Sequence, residues 1–136
     1  MMGSDITWKY VKPLSSVTLI DDFERENNIT FPPDLKSCLL KNNGGRPSKN
    51  IFDTKRSKEK VFKALLSFNE SDLETIYMVY PVLNEEKKGL IPFASDPSGD
   101  VLCIRNNAVV LYSHETGGIE KVSDSFTELL SKLYSI

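Results

Sequence analysis

The chain has 136 residues, 40% hydrophobic and 26% charged, the balance of a folded domain rather than a disordered chain. Its 17 basic and 19 acidic side chains leave a net charge of −2, which argues against nucleic acid as the main partner, because phosphate binding needs a concentrated positive surface. Apolar runs such as Val109–Tyr112 are too short to span a bilayer, and Met1–Trp8 lacks the basic and apolar regions of a signal peptide. The expectation is one cytoplasmic domain over residues 1–136, with its core at about 15–134.

In chain order, residues 15–27 read as a first helix, with Val17, Ile20 and Phe23 on one side and Asp21, Asp22, Glu24 and Arg25 in solvent. Asn27-Asn28 ends it. A second helix starts near Pro33, since proline suits a first helical turn. Leu35, Cys38 and Leu39 recur at helical spacing. Asn42-Asn43-Gly44-Gly45 then supplies a C-cap and a sharp turn. This Gly-Gly pair follows a helix and lacks the GxxxxGK[ST] pattern, so it is not a phosphate loop. Residues 46–60 read as an exposed loop with a short strand near Ile51-Phe52, and Lys55–Lys60 is the most basic run. Val61–Phe68 reads as a strand.

Ser71 and Glu74 have the spacing of a capping box, followed by Leu73, Ile76, Tyr77 and Tyr80 as one apolar stripe. Pro81 disfavours helix at Tyr80, which leaves 82–89 as a polar connection with room for a turn of helix. Three strands follow at about 90–95, 100–105 and 108–113. Asn106-Asn107 makes a tight hairpin turn, because asparagine tolerates positive φ. His114–Gly118 turns again, Ile119–Val122 is a final short strand, and Ser125 with Glu128 caps a closing helix whose apolar face is Phe126, Leu129, Leu130 and Leu133.

This order predicts an α+β fold: an antiparallel meander in the C-terminal half, with N-terminal helices and a C-terminal helix packed on it. Val101–Ile104 and Ala108–Tyr112 are apolar on both faces, so the second face of the sheet needs a cover: loops, the N-terminal segment or a partner chain.

Candidate chemistry centres on Asp96-Pro97-Ser98-Gly99-Asp100. Its oxygens at i, i+2 and i+4 resemble a calcium loop, but Gly99 precedes the third oxygen and no bidentate glutamate follows. Turn chemistry explains every residue instead. Pro97 presets φ, Ser98 fits the next position, Gly99 takes a left-handed bulge, and Asp96 bonds the turn amides. His114, the one histidine, reads as a turn residue rather than part of a nucleophilic triad. Cys38 and Cys103 read as buried thiols without a CxxC partner. No metal site and no cofactor are expected.

Four stretches carry a family resemblance. Phe31–Gly45 resembles an LPxx(Y/L)xx(F/L)LxxNGG helix, and Leu90–Ile104 resembles an IP(I/F)AxDxxG(N/D)x(I/L)C hairpin. Val110–Glu115 resembles a VYxxxHE strand end, and Asp124–Leu130 an SFxE(F/L)L helix. In this order they resemble the SUKH superfamily, named partly for the fungal Smi/Knr cell-wall regulator. Phe31 replaces the usual leucine, and Asp100 stands where asparagine is frequent. The resemblance implies that Asn43, Gly44, Gly45, Pro92, Asp96, Gly99, Ser125 and Phe126 make the fold, and that the protein is not an enzyme.

Its implied role is to bind a protein partner. In bacteria this is immunity, the neutralising of a polymorphic or contact-dependent toxin domain, often a nuclease. The alternative is a regulatory scaffold like the fungal branch, and a third reading is a small hydrolase using His114. Candidate partner-binding residues are acids and aromatics outside the packing pattern, expected to be exposed: Trp8, Tyr10, Glu85, Glu86, Asp96, Asp100 and Glu115.

Overall fold

The computed structural model describes residues 6–136. Four helices and nine strands follow in the order β1 (Trp8–Lys9), α1 (Leu19–Asn27), α2 (Pro33–Asn42), β2 (Arg46–Pro47), β3 (Ile51–Phe52), β4 (Lys60–Val61), β5 (Ala64–Leu65), α3 (Ile76–Glu86), β6 (Ile91–Ser95), β7 (Val101–Arg105), β8 (Ala108–Tyr112), β9 (Ile119–Ser123) and α4 (Phe126–Lys132). Strands β5 to β9 form one antiparallel sheet in chain order, while β1–β2 and β3–β4 are small separate ribbons. The fold is α+β, with the meander where the sequence places it.

Alternation along the sheet sorts its side chains. Leu102, Ile104, Val109, Leu111 and Val122 turn to the main core, beside Ile20, Phe23, Leu35, Leu39, Phe126 and Leu129 from the helices. Aromatic edges lock this core. Phe23 lies 5.3 Å from Tyr80 and 5.6 Å from Phe68, and Phe93 lies 5.6 Å from Phe126, the edge-to-face separations that aromatic quadrupoles favour. Cys103, Val110 and Tyr112 point the other way, and there Leu83 of α3 and Leu90 close over them. The cover of the second face is therefore the C-terminal half of α3 and the residues after it.

That cover exists because α3 runs through Pro81 to Glu86, where the sequence predicts a stop. A mid-helix proline removes one hydrogen bond and clashes with the preceding turn, at roughly 3 kcal/mol. Burial of Tyr80 before it and Leu83 after it offsets the loss. The helix also starts late. Ser71 and Glu74 form no capping box: the amide of Ile76 donates to the Ser67 carbonyl at 3.0 Å, and that of Ser67 to Glu74 at 2.9 Å. The backbone of residue 67 thus satisfies the amide that opens the helix. Leu73 stays outside α3 and is exposed.

Three smaller differences have local causes. Helix α1 begins at Leu19, which leaves Val17 exposed. Glu24 turns inward, accepting the Phe31 amide at 2.8 Å and Lys36 at 2.6 Å. Residues 61–68 are not one strand, because β4 pairs with β3 while β5 pairs with β6.

The family-motif residues hold the frame. Asn43 is buried with every reach satisfied: its amide donates to the Lys12 carbonyl (2.9 Å) and Ser67 Oγ (3.0 Å), and its oxygen accepts the Phe68 amide (2.9 Å). Gly44 has φ +70°, and a Cβ on Gly45 would sit 2.8 Å from the Asn42 carbonyl, closer than any side chain tolerates. Pro92 lies beside a β-bulge, opposite Cys103. Its missing N–H falls where short β5 no longer reaches, since β5 covers only Ala94 and Ser95. Ser125 accepts the Glu128 amide at 3.0 Å, and Glu128 accepts the amide of Asp124 at 2.8 Å, so this second cap does form.

Candidate functional site

The Asp96–Asp100 turn is a hairpin between β6 and β7. The Gly99 amide donates to the Asp96 carbonyl at 3.1 Å, the Ser98 amide to the Asp96 carboxylate at 2.6 Å, and the Asp96 amide to the Asp100 carbonyl at 3.1 Å. The Ser98 hydroxyl also donates to Asp96. Gly99 takes φ +97°, and the His114 ring lies against it, with Cε1 3.0 Å from where a Cβ would stand.

Lys60 arrives from β4 and sits between the two acids, its Nζ 3.4 Å from Asp96 and 3.3 Å from Asp100. His114 Nδ1 is 3.2 Å from the other Asp100 oxygen. Burial opposes the charged form of Asp100, yet hydrogen bonds from His114 and Lys60 prevail and hold its carboxyl below the usual range. Burial likewise opposes the charge on Lys60, and the two aspartates outweigh it and raise its pKa. The carboxylates are thus committed to the turn, to the Lys60 ammonium and to the His114 ring. Among the described residues, no group of three or more His, Cys, Asp or Glu is placed to hold a metal ion. Burial pushes the Cys38 thiol up to about 11 and Cys103 higher still, which keeps both protonated and weakly nucleophilic.

The seven partner-binding candidates fall in separate places. Asp96, expected to be exposed, is only 6% exposed because its carboxylate faces the turn. Asp100 is largely covered by Lys60 and His114. Trp8 is also partly buried, its ring 5.9 Å from Phe62. Tyr10 is exposed, under the Arg46 guanidinium at 5.5 Å, and has φ +58°, a strained setting for a tyrosine. Glu85, Glu86 and Glu115 are exposed, and Glu86 accepts the Tyr112 hydroxyl at 2.8 Å.

The surface holds two hollows. One is an open groove of about 1090 Å³ between residues 53–58, β9 and α4. Its charges are interlocked. Glu120 accepts Thr54 (2.7 Å) and Arg56 (3.2 Å), Asp53 accepts Tyr134 (2.7 Å), and Lys121 pairs with Asp124. The other is a cleft of about 260 Å³ between the start of α3 and the hairpin, lined by Leu66, Leu73, Met78, Val79 and Val101 and rimmed by Glu74, Asp96 and Asp100. Leu73, Met78 and Val82 are 90%, 64% and 58% exposed. The sequence reading missed this surface by assigning Leu73 to the packed stripe. The available signal is that Met78 and Val82 fall off the stripe of Ile76, Tyr77 and Tyr80, in a segment without cations.

Helices on an antiparallel meander, closed by a hairpin whose acids are structural, define an α+β domain with its frame built from motif residues. Residues 18–130 match the family SUKH_6, described as SMI1-KNR4 cell-wall. The chain belongs to this family of the SUKH superfamily. Comparison with curated proteins gives no match. No helix among the described residues is long and apolar enough to cross a membrane.

Proposed function

We propose that this chain is a bacterial immunity protein that acts in the cytoplasm, binding a toxin domain and neutralising it by protein–protein contact, without chemistry of its own. The observation that carries the reading is the hairpin. The acids that most resemble a catalytic pair are held by Lys60, His114 and the turn amides, in a chain of the SMI1-KNR4 family. A second observation agrees: an acid-rimmed cleft with exposed Leu73 and Met78 has the apolar centre and polar rim of an interaction surface. A slightly acidic protein also suits a basic toxin such as a nuclease.

The test is co-expression with the toxin domain encoded beside this chain. Survival of the cells, and co-elution of the two proteins in one complex, is the expected result. Death of the cells with no complex sinks the immunity reading. A regulatory scaffold would instead bring down cellular proteins whether or not a toxin is present. His114→Ala should leave protection intact, whereas a hydrolase dependent on His114 would lose it.

A further inference from the structure

The charge along the chain is segregated. Residues 46–63 carry seven lysines and arginines against two acids, whereas residues 64–86 carry five acids (Glu70, Asp72, Glu74, Glu85, Glu86) and no lysine or arginine. The acidic segment is also where exposed apolar side chains gather. Leu73 and Met78 line one cleft, and Val82 follows Met78 by one helical turn, on the same face of α3. Glu85 and Glu86 follow Val82 by three and four residues and continue that face.

Two further features of α3 work against its own stability. Its last turn has no basic residue and instead holds Glu85 and Glu86, where the negative end of the helix dipole repels acids. Its outer face keeps Met78 and Val82 in water, beside exposed Leu73 just ahead of the helix. Glu86 has a fold contact in the Tyr112 hydroxyl, but local rules broken together at Met78, Val82 and Glu85 mark a surface kept for something else.

We infer that the outer face of α3, together with Leu73 just ahead of it, is the docking surface for a cationic amphipathic segment of the protein partner, an inference that rests on the partner-binding reading above. An apolar side chain of that segment fills the cleft beside Met78 and Val101, and lysine or arginine on either side joins Lys63 at Glu74 at one end and meets Glu85 and Glu86 at the other. Nucleic acid and anionic lipid are repelled by the same five carboxylates. Two copies of this chain docking α3 to α3 would oppose like charges, so a second copy is a poor occupant.

A short synthetic peptide with leucines on one helical face and lysines on the other tests this, read by NMR on the full chain. A control peptide has every lysine replaced by glutamate. The lysine peptide should shift the Met78 methyl and the Val82 and Val101 signals, saturably and less at high salt, and the glutamate peptide should not. Met78→Asp should weaken binding at least about tenfold, while Lys58→Glu, in the other groove, should not weaken it. Met78 is exposed, so a melting temperature matching the parent confirms that the variant is folded. Shifts centred on residues 53–58, equal binding of the glutamate peptide, absence of binding, or self-association through α3 each overturn the inference. Those results leave co-expression protection untouched. Loss of protection with peptide binding intact would instead remove the immunity reading and keep the surface.

Discussion

Residues 46–63 and 64–86 differ in how they use charge. The basic segment is tied down. Arg56 holds Glu120, Lys60 holds Asp96 and Asp100, and Lys63 holds Glu74 at 3.0 Å. These three cations are clamps that fasten irregular backbone to the sheet, to the hairpin and to the segment ahead of α3. In the acidic segment Asp72 accepts Ser67 and Glu86 accepts Tyr112, but Glu70 and Glu85 stand exposed beside apolar neighbours. The first segment thus uses Arg56, Lys60 and Lys63 for the fold, and the second leaves Glu70 and Glu85 to solvent. Substitutions should therefore cost stability in the first and binding in the second.

The largest effect should come at the hairpin where Lys60 is clamped. Gly99→Val forces a β-branched residue to φ +97° and drives its Cβ into the His114 ring, so a loss of roughly 2–3 kcal/mol is expected, seen as a lowered denaturant midpoint. Lys60→Glu follows, placing a third carboxylate beside Asp96 and Asp100. Because Lys60 is partly solvated, about 2 kcal/mol is expected. A Lys60→Glu protein as stable as the parent would refute the clamp.

Next comes pH. Asp100 ionises below its ordinary value in the fold, so its stabilisation is present above about pH 4 and is lost as pH falls through its depressed pKa. Lys60 is shifted upward, so its share is present below about pH 10 and is lost as pH rises through its raised pKa. Melting temperature against pH should show a plateau between those limits, and Lys60→Met should weaken the fall at both ends.

The smallest stability effect, and the sharpest contrast, belongs to Glu85→Lys. Placing a cation at the C-terminal end of α3 should leave stability unchanged or raise it by about 0.3–1 kcal/mol, while it weakens capture of the lysine peptide. A variant that loses both stability and binding would erase the distinction between the segments.

Two identical sequence patterns show why some of this was legible and some was not. Ser125 caps α4 by accepting the Glu128 amide, because the one competing acceptor, Asp34 of α2, takes the Thr127 amide instead. Ser71 and Glu74 have the same spacing, but residue 67 supplies the backbone partners, and those partners come from a neighbouring extended segment rather than from local sequence. Short-range signals such as Asn106-Asn107, with φ of +51° and +68°, and the Asp96–Asp100 turn were readable because the residues that act are adjacent. The Lys60 and His114 contacts to Asp100 bridge 40 and 14 residues, and no local pattern announces them. Pro81 likewise read as a stop, since the burial that offsets it depends on where Tyr80 and Leu83 land.

The division of residues 60–65 between two sheets has a kinetic consequence. A two-stranded ribbon alone is marginal in water, and β3–β4 would be expected to open often. Its second strand, however, continues within three residues into β5 and the main sheet, with buried Phe62 between. Ile51 is also bonded to Tyr134 in both directions at 2.9 Å. Opening the ribbon therefore pulls on the sheet and on the end of α4 together. Amide exchange at Ile51 and Phe62 should slow to the rate of the central strands, so that a two-stranded ribbon reports the opening of the five-stranded sheet.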